Sequence, residues 1–114
     1  MSLHLTEFDC PCCGENQFSL DTFVRLADAR RIADTPFKIN SGWRCAKHNA
    51  EEGGKDTSSH LIGHAADIHC TSSRPRYNII FALIRAGFTR IGIAKTFIHV
   101  DDDPNKDGDV IWVY

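Results

Sequence analysis

Between Leu20 and Ala33 the apolar positions Leu20, Phe23, Val24 and Ala27 recur at helical spacing. The flanking residues agree with a helix. Ser19 stands where an N-cap belongs, Asp21 lies near the positive end of the helix dipole, and Arg30 and Arg31 lie near the negative end. Pro36 stops the helix, and Phe37-Lys38-Ile39-Asn40-Ser41 alternates as a short strand. The stretch from Gly42 to Ser59 is loop-rich, with Gly53-Gly54 as a flexible point and one helical turn near Ala46–Glu51. A strand is predicted over Ala65–Cys70. Ser72 or Ser73 caps the next helix, which has Pro75 in its first turn and Gly87 at its C′ position. Tyr77, Ile80, Phe81, Leu83 and Ile84 give that helix a broad apolar face. Three strands follow, Phe88–Ala94, Phe97–Asp101 and Val110–Tyr114, and the turn Asp103–Gly108 is expected to join the last two as a hairpin. Residues 1–18 read as an irregular arm with Phe8, Cys10 and Phe18 available to pack. The pattern predicts an α+β domain spanning 1–114, with two main helices against a small, mostly antiparallel sheet.

Composition narrows the partners. A net charge of −2 exerts no strong pull on nucleic acid or anionic lipid, and no apolar run reaches membrane-spanning length. Met1–Glu7 lacks the basic and apolar regions of a signal peptide, so the expected location is cytoplasmic as synthesised, or periplasmic if a leader was removed. Five cysteines cannot all pair within one chain, and reduced thiols are the default. Cys10-Pro11-Cys12-Cys13-Gly14 looks like half of a zinc knuckle that needs a further ligand from His4, Cys45 or Cys70. The simpler reading is preferred: a tight turn with one buried cysteine and two incidental thiols. The acidic run Asp101-Asp102-Asp103, Asn105, Asp107 and Asp109 lacks the glycine and terminal glutamate of an EF-hand loop, so a solvated turn is expected there. Trp112 and Tyr114 suit either a groove wall or a plain core or edge position.

The chemistry concentrates in two segments, Ser58-Ser59-His60-Leu61-Ile62-Gly63-His64-Ala65-Ala66-Asp67 and Ile98-His99-Val100-Asp101. Together they offer two imidazoles and a carboxylate, and three protein ligands with a fourth position left to water is how catalytic zinc is usually held. His60 and Asp67 are too far apart for one strand face, so a loop followed by a strand must bring them together, with Gly63 allowing the backbone to turn. His99 lies in a strand between Ile98 and Val100, and Asp101 projects on the same face as His99.

Ser58-x-His60-x-x-Gly63-x-Ala65-x-Asp67 resembles the signature of the zinc D-alanyl-D-alanine carboxypeptidase family. Relatives of that family include vancomycin-resistance dipeptidases, phage L-alanyl-D-glutamate endopeptidases and the Hedgehog signalling domain. His99-Val100-Asp101 is similar to the family's downstream element, and Ser41-Gly42-Trp43-Arg44-Cys45 to its upstream one. The resemblance implies a Hedgehog/DD-peptidase-like fold and a zinc ion on His60, Asp67 and His99. It also implies Arg44 on an anionic group of the substrate, and Ser58 lining the site or capping its loop. The implied activity is hydrolysis of peptidoglycan stem peptides with zinc-bound water as nucleophile; a monomer that acts on the cell wall after release is expected. Thr96 stands where many relatives keep an acid. Asp101 is therefore the first candidate for the proton-accepting group, with a role in orienting a ligand histidine as the alternative and with Asp102, Asp103 and His64 behind it. A non-catalytic, zinc-containing binding module of the Hedgehog-like type is the rival reading.

Overall fold

The computed structural model describes residues 2–114. The elements run α1 (Leu20–Ala33), β1 (Ile39–Ser41), α2 (Ala46–Glu51), β2 (Ala65–His69), α3 (Ser73–Arg85), β3 (Arg90–Ile93), β4 (Phe97–Asp101) and β5 (Val110–Val113). The N-terminal arm contains one 3-10 turn at Leu5–Phe8 and otherwise lacks regular structure. Phe8, Cys10 and Phe18 anchor it in the core. The strands form one mixed sheet in the order β1-β2-β4-β3-β5, antiparallel except for the β3–β5 pair.

That last pair corrects the expected hairpin. β4 lies between β2 and β3, and the tight turn Ala94–Phe97 has already folded β3 against it. Both edges of β4 are taken, so the chain after Asp101 must pass the end of β3 and settle on that strand's outer edge. Val110 N–H donates to Thr89 O at 2.9 Å as β5 begins.

The helices agree with the sequence in extent and differ in their buried faces. Ser19 Oγ accepts from Thr22 N–H at 3.2 Å as expected of the cap, and Asp34 ends α1 in a left-handed conformation just before Pro36. α1 buries Thr22, Leu26 and Ala29, while Leu20 and Val24 are exposed. α3 buries Ile79, Ala82 and Leu83, spaced i, i+3, i+4, and packs on α1. Tyr77, Phe81 and Ile84, assigned above to its apolar face, are exposed. Almost every position from Tyr77 to Ile84 is apolar, so periodicity alone could not say which stripe turns inward. Among the described residues, no helix is long and apolar enough to cross a membrane.

The sheet sorts its side chains by the two-residue period of a strand. Ala66 and Ile68 of β2, Ile91 of β3, and Ile98 and Val100 of β4 enter the core under the helices. The alternate residues Asp67, Arg90, Gly92, His99 and Asp101 face the other way, where loop 42–64 folds across them.

Candidate metal centre

Asp67 and His99 are direct partners in the β2–β4 ladder. Residues so paired have Cβ atoms about 5 Å apart, close enough for their side chains to meet. His99 Nδ1 lies 2.9 Å from Asp67 Oδ1, and His60 Nε2 lies 3.3 Å from the same oxygen. His60 arrives from the loop. The segment 42–44 runs beside it: Arg44 N–H donates to His60 O at 3.2 Å, and the Trp43 indole donates to Leu61 O at 2.9 Å. Gly63 turns the loop toward β2 at φ 76°, and a Cβ there would come within 2.3 Å of the Gln17 carbonyl. Glycine is therefore required twice over, for the dihedral and for the space.

One ligand atom from each of His60, Asp67 and His99 lies within 4.8 Å of the others. The outer nitrogen of each histidine is already held. His60 Nδ1–H donates to Gly42 O at 2.8 Å, and His99 Nε2 pairs with Asp101 Oδ2 at 2.8 Å. Both inner nitrogens thus converge on Asp67. Histidines that bind metals characteristically have the far nitrogen fixed by a carbonyl or carboxylate, so this donor set fits a zinc ion.

The electrostatics favour positive charge at this point. Burial pushes the Asp67 carboxyl up, but the hydrogen bonds and charges of His60 and His99 outweigh it and hold the group well below the usual carboxylate range. Burial pulls His99 down, but Asp101 and Asp67 on its two sides outweigh that and raise it.

The cluster opens into a cleft of about 480 Å³ walled by Trp112 and Tyr114 and rimmed by Arg44, Lys55, Arg90 and Lys106. Arg44 lines it. Its Nε–H donates to Ser41 Oγ at 2.9 Å, and one terminal nitrogen stands 3.4 Å from Asp67 Oδ2. Ser58 lines the cleft and also accepts from His60 N–H at 3.2 Å.

Asp101 is nearly inaccessible, at 1% exposure, and both of its oxygens are engaged. Oδ2 takes His99; Oδ1 accepts from Arg90 Nε at 2.7 Å and from Asp103 N–H at 3.2 Å. The other proton-accepting candidates lie elsewhere. Asp102 and His64 pair with each other against α1, and Asp103 accepts from Ser59 Oγ at 2.7 Å. Thr96 is exposed and outside the cleft lining.

Three contributors escaped the sequence reading. Arg90 holds Asp101 and lies over the Trp112 ring at 5.2 Å. Gly92 leaves room for that ring, since a Cβ there would come within 2.6 Å of the indole nitrogen. The Gly42 carbonyl orients His60. Alternation in Arg90-Ile91-Gly92-Ile93 was a usable signal for the first two, whereas a carbonyl acting across a loop has none.

A family model described as Peptidase M15 matches residues 3–101. No curated protein matches the chain.

Proposed function

Because the chain belongs to the peptidase M15 family, a family of metallopeptidases, we propose that His60, Asp67 and His99 hold a zinc ion. We further propose that the cleft beside them hydrolyses peptidoglycan stem peptides at the cell wall, as a carboxypeptidase or an endopeptidase. The observation that carries this reading is the convergence of His60 Nε2 and His99 Nδ1 on Asp67 at the floor of an open, cationic cleft. Zinc bound there would bring the pKa of a water toward neutrality and polarise the scissile carbonyl.

The chain's own residues supply orientation and charge. Gly42 O and Asp101 fix the tautomers that leave the inner nitrogens of His60 and His99 free to ligate. We assign Asp101 this positioning role rather than that of proton acceptor, because Arg90 and the Asp103 amide already occupy its second oxygen. Arg44 is held at Nε by Ser41 at 2.9 Å, while its two terminal nitrogens make only long contacts, 3.4 Å each, to Asn49 and Asp67, so it can turn a fork toward a stem-peptide carboxylate. Trp112 and Tyr114 wall the cleft on the β5 side, narrowing the water's access to a bound peptide.

The test is mass spectrometry of muropeptides incubated with zinc-loaded protein. Cleavage by the wild type and none by His60→Ala is expected. A wild type that holds zinc yet cleaves no stem peptide would return the Hedgehog-like binding module.

A further inference from the structure

The cysteine-rich turn of the arm is more than a fold in the chain. Cys10-Pro11-Cys12-Cys13-Gly14 closes with Gly14 N–H on Cys10 O at 2.8 Å and Gly14 at φ 75°. Cys10 is buried while Cys12 and Cys13 are exposed, as the simpler sequence reading has it. Cys45, the N-cap residue of α2 and one of the further ligands the sequence offers, lies against the same turn. The sulfurs of Cys10, Cys13 and Cys45 lie within 4.8 Å of one another.

Distance separates the chemistries open to them. Cys10 Sγ and Cys45 Sγ are 3.7 Å apart. A disulfide needs about 2.05 Å, whereas two sulfurs about 2.3 Å from a tetrahedral zinc stand about 3.8 Å apart. Backbone amides are aimed at the sulfurs: Cys45 N–H at Cys10 Sγ, 3.5 Å, and His48 N–H at Cys45 Sγ, 3.4 Å. Cys12, beside Cys13 in the same turn, is exposed and its sulfur is not one of the three that cluster. The His48 ring faces Glu51 and Glu52, at 3.9 and 3.6 Å.

We propose that the clustered Cys10, Cys13 and Cys45 bind a second zinc ion as thiolates, and that the neighbouring exposed Cys12 turns in on metal binding to close the fourth position. Four sulfurs leave no place for water, so this site is structural. Its effect reaches the cleft through the backbone. It ties the arm to Cys45, the residue after Arg44, in the segment whose Gly42 carbonyl orients His60. Binding releases the thiol protons and couples the arm's order to metal.

Cobalt substitution tests the site without reference to activity, because thiolate ligands give cobalt an intense near-ultraviolet charge-transfer band. Reduced wild-type protein is expected to hold about two metal ions per chain and to show that band. His60→Ala should lose one ion and keep the band; Cys13→Ser/Cys45→Ser should lose the band and keep one ion. Cys12→Ser should weaken the band's metal affinity more than His48→Ala does. No band in the reduced wild type, or a band that survives Cys13→Ser/Cys45→Ser, overturns the site. So does a Cys10–Cys45 disulfide that persists in protein isolated without reductant and excludes metal. A larger loss in His48→Ala overturns the four-sulfur ligation. The wild-type spectrum needs no variant to fold, and the His60→Ala arm separates this site from the proposed catalytic one.

Discussion

Asp101 and Asp102 are neighbours in the chain, take chemically matched partners and serve opposite sides of the molecule. Asp101 pairs with His99 at 2.8 Å and Arg90 at 2.7 Å; Asp102 pairs with His64 at 2.8 Å and Arg25 at 3.0 Å. Asp101, the last residue of β4, points with His99 into the cleft. Asp102 lies one residue beyond the strand and points toward α1, where Thr22 Oγ1 donates to it at 2.7 Å. The histidines make the difference. His99 meets a second carboxylate, Asp67, that His60 also reaches, whereas the other ring contact of His64 is the Thr22 hydroxyl. A carboxylate–histidine–arginine set therefore does not identify a functional centre. What sets the candidate centre apart is the further carboxylate that draws two imidazoles to one point beside open space.

The strongest way to break this contrast is to remove the convergence point. His60→Ala or Asp67→Ala is expected to abolish cleavage and lose the centre's metal while far-UV circular dichroism stays native-like. A chelator should do the same to the wild type, and added zinc should restore it. Residual activity in metal-free Asp67→Ala would end the special standing of the Asp101 side.

Asp101→Asn comes next and sharpens the comparison. As an orienting partner of a metal-binding histidine, Asp101 should cost about 10–100-fold in metal affinity or activity when replaced. Loss of a proton acceptor would instead lower kcat by about 10²–10⁴-fold with metal affinity unchanged. Titrating zinc into the variant and measuring kcat at saturating metal separates the two.

Arg44→Ala should lower kcat/KM, mainly through KM, by the roughly 1.5–3 kcal/mol typical of a hydrogen bond to a charged group. Arg44→Lys should recover only part, because an ammonium cannot form the fork. Steady-state kinetics on a stem peptide with and without its terminal carboxylate would check this.

On the other side, Asp102→Ala should leave the activity of folded protein unchanged and lower stability by about 1–3 kcal/mol, through the Thr22 and His64 contacts left unmet. The Arg25 pair adds little, because that arginine is substantially exposed. A Tm drop of about 4–8 °C per kcal/mol is the readout.

The smallest effect concerns Asp103, which ties the β4–β5 loop to Ser59. Burial raises its carboxyl, but the Ser59 hydroxyl, the Asn105 amide and Lys106 outweigh that and hold it below its ordinary value. A lowered folded-state pKa contributes stability that is present above the unfolded value of about 3.9 and lost as pH falls through the folded one. Urea midpoints measured down through that range should fall less steeply for Asp103→Asn than for the wild type.

Much of the site could be read before folding, and particular residues show why. Alternation placed His99 and Asp101 on one strand face, and Gly63 marked the turn that delivers His60. Helix ends were legible because Ser19, Pro36 and Gly87 act within a few residues of themselves. The inward stripe of α3 was not, because Ile79, Ala82 and Leu83 lie among other apolar positions and only contact with α1 selects them. The hairpin expected between β4 and β5 failed for a related reason: turn residues report a reversal of the chain, not which strand edge is still free.

The chain by itself determined the face each strand donor occupies and the local turns that present them, which follow from bonded geometry and short-range periodicity, while the choice of donors is what the motif's resemblance implies. Tertiary structure alone decided that β2 and β4 pair with Asp67 opposite His99. It also decided that Asp101 meets Arg90 while Asp102 meets Arg25, and that Cys45 closes on Cys10 and Cys13. A two-residue period names a side of the sheet. Which residue stands opposite depends on register and edge occupancy, and packing of the whole core sets both.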